Sequence, residues 1–227
     1  MPRNARIIIP GVPHHITQRG NYGRTVFFSD KDTSVFLEQL YDYSTKAKLQ
    51  LACYCLMPNH THLIVIPEQP DSVWRTFKPL HMRLSQRLNR RFDQRGINWQ
   101  GRFFSSPMDE IHTFRAFQYV CLNPVRAGLV SRIEEYRWSS AKAHLGLADD
   151  PNITANKIWR EMATNALAEA LRTGLLDAPE FSLLRRNTST NLPTGADQFI
   201  KMLERTTGRS LSYRPPGRPA KTGNVPF

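Results

Sequence analysis

Hydrophobic and polar positions change period in blocks along the chain, and each block predicts an element. Val12 to Arg19 reads as a strand ending at the turn-forming pair Gly20-Asn21. Ser29 or Asp30 caps a helix from about Lys31 to Lys48, with Val35, Phe36, Leu40 and Tyr43 on its apolar side. Leu49 to Met57 and Thr61 to Ile66 read as two strands joined by a Pro58-Asn59 turn. The next helix carries Leu80, Leu84 and Leu88 at i, i+4, i+8. Pro79 should interrupt or restart it, because proline donates no hydrogen bond and crowds the preceding turn. After Gly96 an extended stretch runs through Phe104, and a helix spans about Thr113 to Asn123, where Pro124 should stop it. The order β-α-β-β-α-β-α predicts an α+β fold: a ferredoxin-like antiparallel sheet with helices packed on one side, then a small helical C-terminal extension.

The polar break Asp149-Asp150-Pro151-Asn152 divides the chain into an expected domain over 1–146, a helical accessory region over 147–208 and a basic Pro/Gly-rich tail over 209–227. In the accessory region Ile158, Met162, Ala166 and Ala170 mark one helix ending near Gly174. Thr194 followed by Asp197 resembles a capping box for a short helix through Phe199, Ile200 and Leu203, closed by Gly208. In the tail, Arg214-Pro215-Pro216-Gly217-Arg218-Pro219 resembles the Gly-Arg-Pro core that enters narrow minor grooves, a disordered basic tail being the alternative.

Composition changes this picture in one respect. Apolar residues make up 40% of the 227, enough for a core, but Lys and Arg number 31 against 19 Asp and Glu, a net charge of +12. Such an excess favours a polyanionic partner, nucleic acid first and an anionic membrane surface second. No stretch approaches the ~20 apolar residues of a spanning helix, and the first residues lead into no signal-peptide apolar region. Cys53, Cys55 and Cys121 are odd in number and lie in apolar segments, which suits a reducing cytoplasm and small core residues. A cytoplasmic location is therefore expected, nucleoid-associated when the protein is on DNA.

Two features carry chemistry. His60-Thr61-His62 opens a strand, so both imidazoles project from one face and make half of a divalent-metal site. Ordinary strands also carry this pattern, and two half-buried structural histidines are the plainer alternative. On the helix before Pro124, Phe114, Phe117 and Cys121 define the core stripe. At ~100° per residue, Tyr119 falls roughly 170° from it, with Asn123 one turn beyond on the same side. The plainer reading is an amphipathic helix with an exposed tyrosine and an asparagine C-cap. A phenol, with its pKa near ~10, is a poor nucleophile at neutral pH and needs a polarised electrophile. A cation held by two imidazoles and an amide oxygen would draw charge from a phosphodiester and orient it for in-line attack. A phosphotyrosine linkage conserves the energy of the broken bond, so strand transfer would need no nucleotide cofactor.

Residues 75–102 contain Arg75, Lys78, Arg83, Arg87, Arg90, Arg91, Arg95 and Arg102 against only Asp93. Arg83, Arg87 and Arg90 form a stripe beside the leucines and are expected to meet phosphates rather than bases. Trp99, Phe103 and Phe104, among these charges, are candidates for stacking on unpaired bases. A solvated helix face with buried aromatics is the alternative.

Four blocks stand out together: Met57-Pro58-Asn59-His60-Thr61-His62-Leu63, Trp99-Gln100-Gly101-Arg102-Phe103, Tyr119-x-x-x-Asn123-Pro124-Val125-Arg126-Ala127-Gly128-Leu129 and Trp138-Ser139-Ser140. They resemble the signature of the single-tyrosine HUH transposases, in particular their chromosomal branch, the REP-associated tyrosine transposases. The opening His14-His15-Ile16-Thr17-Gln18-Arg19-Gly20-Asn21 is similar too, and the match covers roughly residues 5–146. The resemblance implies a ferredoxin-like fold and a DNA transposase acting as an endonuclease on single-stranded DNA beside a hairpin. By it Tyr119 is the catalytic nucleophile, leaving a 5′-phosphotyrosine and a free 3′-OH. His60 and His62 are metal ligands, Asn123 stands where the family places its third, and the usual metal would be Mg²⁺ or Mn²⁺. Thr61 stands where the family has a hydrophobic residue and should pack inward through its methyl group. The part after residue 147 carries no catalytic block and reads as a DNA-binding or dimer-blocking accessory.

The combined expectation is a transesterase that nicks and rejoins single strands at hairpin (REP-like) sites, as a monomer or homodimer, with Arg19, Arg102 and Arg126 touching DNA near the active site. Two rivals remain open from sequence. One is a non-catalytic hairpin-binding module. The other is a metal-dependent phosphodiesterase in which His60 and His62 activate water without a covalent intermediate.

Overall fold

The computed structural model describes residues 6–211. The Arg214–Pro219 run lies outside the described residues. Four strands form one antiparallel sheet: β1 (His14–Arg19), β2 (Leu49–Met57), β3 (His60–Pro67) and β4 (Phe104–Pro107). Their order β2-β3-β1-β4 is the ferredoxin-like arrangement that the element order implied. The final strand starts later than the sequence pattern suggested. Only Phe104–Pro107 form a continuous strand beside β1; before them the chain touches the end of β1 at one point, where Trp99 bridges Gly20 and Gln100 N–H donates to Arg19 O.

One face of the sheet is covered by α1 (Asp30–Lys46) and α2 (Ser72–Arg91). Ser29 caps α1, its hydroxyl accepting from the Asp32 N–H, as the sequence foresaw. Phe36 and Leu40 of α1 meet Phe77, Leu80, Leu84 and Leu88 of α2 over Ile16, Leu51, Leu63 and Val65 of the sheet. Pro79 does not break α2. It forgoes one backbone bond in the first half of the helix, while the buried row Val73, Phe77, Leu80, Leu84 and Leu88 contributes about 1.5–3 kcal/mol per side chain. That burial outweighs the proline penalty of about 3 kcal/mol.

The other face is covered as well, which differs from the expectation of helices on one side only. Here lie α3 (Glu110–Arg126), α4 (Ala141–His144), α5 (Lys157–Thr173) and α6 (Pro179–Thr190), followed by α7 (Asp197–Thr207). The reason is visible in β2 and β3, which are near-continuous apolar runs rather than alternating ones. Such strands must be buried on both sides. Cys53, Cys55, Met57, Ile64 and Ile66 pack on this second face against Ala116, Phe117 and Val120 of α3, with Ala163, Ala166 and Leu167 of α5 in the same cluster. The outer edge of β2 is closed by side and main chain from later segments. Leu56 N–H donates to Trp138 O, Ser140 N–H to Tyr54 O, and Thr154 and Ala155 N–H to Leu51 O. A paired edge has no free ladder to offer another chain.

Trp99 and Phe103 do not stand ready for bases. Both are buried beside Phe77 and His81, and the Trp99 indole N–H donates to His81 O. Apolar rings displaced from a short loop are held here because the α2 layer gives them somewhere dry to go. The three cysteines are buried and unbridged, with the Cys53 and Cys121 sulfurs 3.6 Å apart. Among the described residues no helix is long and apolar enough to cross a membrane.

Two histidines buried away from the candidate site make stability depend on pH. His14 has its Nδ1 2.7 Å from Val12 O, and its Nε2 accepts from Ile9 N–H. Burial, only partly offset by backbone hydrogen bonds, pushes its pKa down to about 4. His81 sits among Phe36, Phe77, Trp99 and Phe103, and burial followed by the charge of Arg6 lowers its pKa to about 3. The unfolded chain takes up these protons near pH 6.5 and the folded one does not. Stability is therefore full above pH 6.5 and is expected to fall as pH drops toward 4, by about 1.4 kcal/mol per pH unit for each histidine. Urea unfolding at pH 7, 6 and 5 checks this. His81→Phe should make the slope shallower by about one proton, and an unchanged slope would show that His81 is not a neutral buried group.

Candidate active site

β1 and β3 lie side by side at the centre of the sheet, with Thr17 opposite His62 and Arg19 opposite His60. His60 and His62 therefore project from the face that α3 covers, and His15, two positions along β1 from Thr17, joins them there. The His60 and His62 rings meet edge to face at 4.8 Å. The His15 and His62 rings are parallel at 5.2 Å, with His15 Nε2 3.0 Å from His62 Nδ1.

The hairpin turn before His60 is held from outside. Loop residue Gly20 donates to Asn59 O, while Val26 and Phe27 N–H donate to Pro58 O. Gly20 has to be glycine, because a Cβ there would lie 2.1 Å from Arg24 O. The Asn59 amide nitrogen donates to Gly23 O, which turns its Oδ1 toward His60 Nδ1 at 2.6 Å. An amide oxygen only accepts, so His60 carries its proton on Nδ1 and leaves Nε2 bare.

α3 brings the phenol. Asp109 caps it, its carboxylate accepting from His112 N–H. The helix does not stop at Pro124 but runs to Arg126. Ala127 N–H donates to Asn123 O and Leu129 N–H to Pro124 O, closing the last turn. Near a helix end proline forfeits little, and the added turn places Arg126 at i+7 from Tyr119. Nor is Tyr119 on an open face. It is 3% exposed, because α3 is buried on all sides from Ala116 to Pro124. Phe117 and Cys121 meet His144 and Cys53, and Gln118 donates to Ala166 O of α5. Tyr119 itself packs against His62 at 5.3 Å, His15 at 5.8 Å and Phe181 of α6 at 5.4 Å. The periodicity located the phenylalanine stripe correctly, and later segments then buried the opposite face.

Arg126 lies over the Tyr119 ring, 5.3 Å from its centroid, and over Phe181, and it pairs with Asp177 at 3.3 Å. Asn123 turns back so that its amide N–H donates to Tyr119 O at 2.8 Å. Burial raises the Tyr119 pKa, while the positive charges of Arg185 and Arg126 and hydrogen bonding from Arg126 and Asn123 oppose that rise. Burial likewise lowers His60, helped by Arg19, to about 4, and holds His62 well below its usual value. Both imidazoles are thus neutral at neutral pH and have a lone pair to offer.

Among the described residues no group of three His, Cys, Asp or Glu is arranged to hold a metal. The donors present are the bare Nε2 of His60, a His62 ring whose Nδ1 is taken by His15, and the Asn123 amide. Two imidazoles with outer-shell partners and one oxygen donor suit a divalent cation with open positions.

The basic residues divide. Arg19 lies exposed beside His60, and Arg126 belongs to the tyrosine's own surroundings. Arg102 is exposed in the loop before β4. Arg83, Arg87 and Arg90 are on α2, across the sheet from Tyr119. Arg83 and Arg90 are exposed, whereas Arg87 donates to Asp32 O at 3.0 Å and pairs with the Asp32 carboxylate, tying α2 to α1. Sequence reasoning did not single out Asn59, His15, Phe181 or Thr188 as parts of this site. A β1–β3 register would have found His15, but α6 left no local signal.

Comparison with known proteins bears on the fold and the family. A solved structure described as a REP-associated tyrosine transposase bound to a REP hairpin superposes with a TM-score of 0.54 at 18% identity, covering 70% of this chain and 93% of that one. A structure from Deinococcus radiodurans R1, provisionally named a transposase, is 19% identical over 52% of this chain and 95% of that one, but its TM-score of 0.38 carries no argument. No curated protein matches the chain. The family model for IS200-like transposases matches residues 10–122, which contain the whole sheet, both histidines and Tyr119. With that match and the four-stranded fold together, the chain belongs to the IS200-like transposase family.

Proposed function

We propose that the protein nicks and rejoins single-stranded DNA at hairpin sites of the REP type, through a 5′-phosphotyrosine on Tyr119. The observation that carries this reading is the edge-on packing of Tyr119 against His62, with Asn123 and Arg126 on the same helix face. It is supported by the family match and by a neighbour of the same fold that is described as bound to a REP hairpin.

In this reading Tyr119 Oη attacks phosphorus, the bond to the 3′ oxygen breaks, and the strand leaves with a free 3′-OH. Attack by a 3′-OH on the phosphotyrosine reverses the step, so no bond energy is lost between cleavage and joining. Arg126 and Arg185 favour the phenolate and lower the cost of losing the phenol proton in a buried site. His60, His62 and Asn123 would hold Mg²⁺ or Mn²⁺. When bound, such an ion polarises the phosphoryl oxygens and fixes the scissile bond for in-line displacement. Arg19, next to His60, and exposed Arg102 are the proposed strand contacts near the site, with Arg83 and Arg90 as more distant phosphate contacts. Residues 1–146 would form the catalytic domain and 147–208 the accessory region. A DNA-acting protein of this kind would work in the cytoplasm.

The test is a labelled single-stranded oligonucleotide carrying a hairpin from beside the gene, incubated with Mg²⁺ or Mn²⁺ and denatured in SDS. A metal-dependent protein–DNA adduct is expected. Tight hairpin binding with neither adduct nor cleavage, across several hairpins, would move the reading to a non-catalytic binding module.

A further inference from the structure

Helix α6 lies in the stretch that carries no catalytic motif, yet one of its side chains reaches the histidine pair. Thr188 Oγ1 is 2.8 Å from His15 Nδ1, and His15 Nε2 is 3.0 Å from His62 Nδ1. All three side chains are buried, Thr188 at 2%, His15 at 1% and His62 at 6% exposure. We propose that Thr188, acting through His15, permits the His62 tautomer whose Nε2 is bare, and is thereby a positioning residue for the cation site. This rests on the reading that His60 and His62 hold a divalent cation.

The argument is a count of protons. Each neutral imidazole has one N–H and one bare nitrogen, and each of the two contacts accommodates one hydrogen. In one direction His62 Nδ1–H donates to His15, His15 Nδ1–H donates to the Thr188 oxygen, and His62 Nε2 is left bare for a ligand bond. In the other, the Thr188 hydroxyl donates to His15, His15 Nε2–H donates to His62, and the remaining proton sits on His62 Nε2 and blocks ligation. A hydroxyl can end the chain either way. Without it, the competent direction leaves a buried His15 N–H with no acceptor, and an orphaned buried donor is strongly penalised. In the blocked direction the same loss leaves only a bare His15 nitrogen without a donor, a smaller penalty than an orphaned N–H, so loss of the Thr188 oxygen weighs against the competent form. His60 needs no such device, because Asn59 Oδ1 can only accept. The two histidines are thus set differently, His60 by its own hairpin turn and His62 by the C-terminal helix.

Two readouts test this on the full chain: long-range ¹H–¹⁵N spectra of the histidine rings without metal, and Mn²⁺ affinity from the EPR signal of the free ion. Thr188→Val is expected to move the His62 proton toward Nε2 and to weaken Mn²⁺ binding about tenfold, the lower end for loss of an outer-shell partner. Thr188→Ser, which restores the oxygen, should stay within about twofold of wild type. If the valine variant does not fold, His15→Gln and His15→Leu carry the same contrast. The glutamine oxygen can accept from His62 and should keep Mn²⁺ binding, and leucine should lose it. Wild-type Mn²⁺ binding that Thr188→Val leaves unchanged would overturn this inference alone. Failure of the wild-type protein to bind Mn²⁺ would overturn the cation reading and this inference with it.

Discussion

Tyr119→Phe is expected to lower strand cleavage by at least about 10⁴-fold and to abolish the SDS-resistant adduct, with hairpin binding changed by less than about twofold. The substitution removes one oxygen and keeps the ring, so the edge contacts to His62 and His15 and the stack under Arg126 survive. What disappears is the only protein atom in the proposal that attacks phosphorus. Single-turnover cleavage of a labelled hairpin strand measures the rate, and a filter or anisotropy assay at fixed salt measures binding. A Tyr119→Phe protein that still cleaves at near wild-type rate would sink the tyrosine mechanism. It would favour water activated at the His60–His62 pair, since that route needs the histidines and not the phenol.

Phe117→Ala should cost about 3–5 kcal/mol of folding stability. Phe117 is fully buried on α3, edge to face with His144 at 6.1 Å, in the cluster that joins the second sheet face to α5. Deleting its ring opens a cavity between layers that belong to different parts of the chain and cannot easily close on it. Thermal unfolding should show the midpoint lowered by roughly 10 °C, and urea unfolding a matching loss. The same helix carries Tyr119 two residues later, so cleavage should weaken as well, through a less firmly held phenol. A stability loss below about 1 kcal/mol would mean that this layer repacks around the gap.

Much of the fold was legible because its signals are local. The Ser29 cap, the leucine spacing of α2 and the two apolar strands each depend on neighbours within a turn or two. The breaks proposed at Pro79 and Pro124 failed for a common reason. A proline penalty is a fixed local cost, whereas the burial that offsets it comes from layers the local sequence does not reveal. The same limit explains Trp99 and Phe103, whose surrounding charges suggested a nucleic-acid surface and whose rings turned inward against α2.

For the site the division is sharper. By itself the sequence determined that His60 and His62 share a strand face and that Asn123 follows Tyr119 by one helical turn, because period two and period 3.6 are properties of the backbone. It also determined the excess positive charge. Only the tertiary structure decided that His15 stands beside His62, since that follows from the register of β1 on β3. It likewise decided that Arg126 and Phe181 enclose Tyr119 and that Thr188 reaches His15 from 173 residues away. Contacts of that kind arise when separate layers close over one another, and no periodicity within a segment encodes which foreign side chain will meet it.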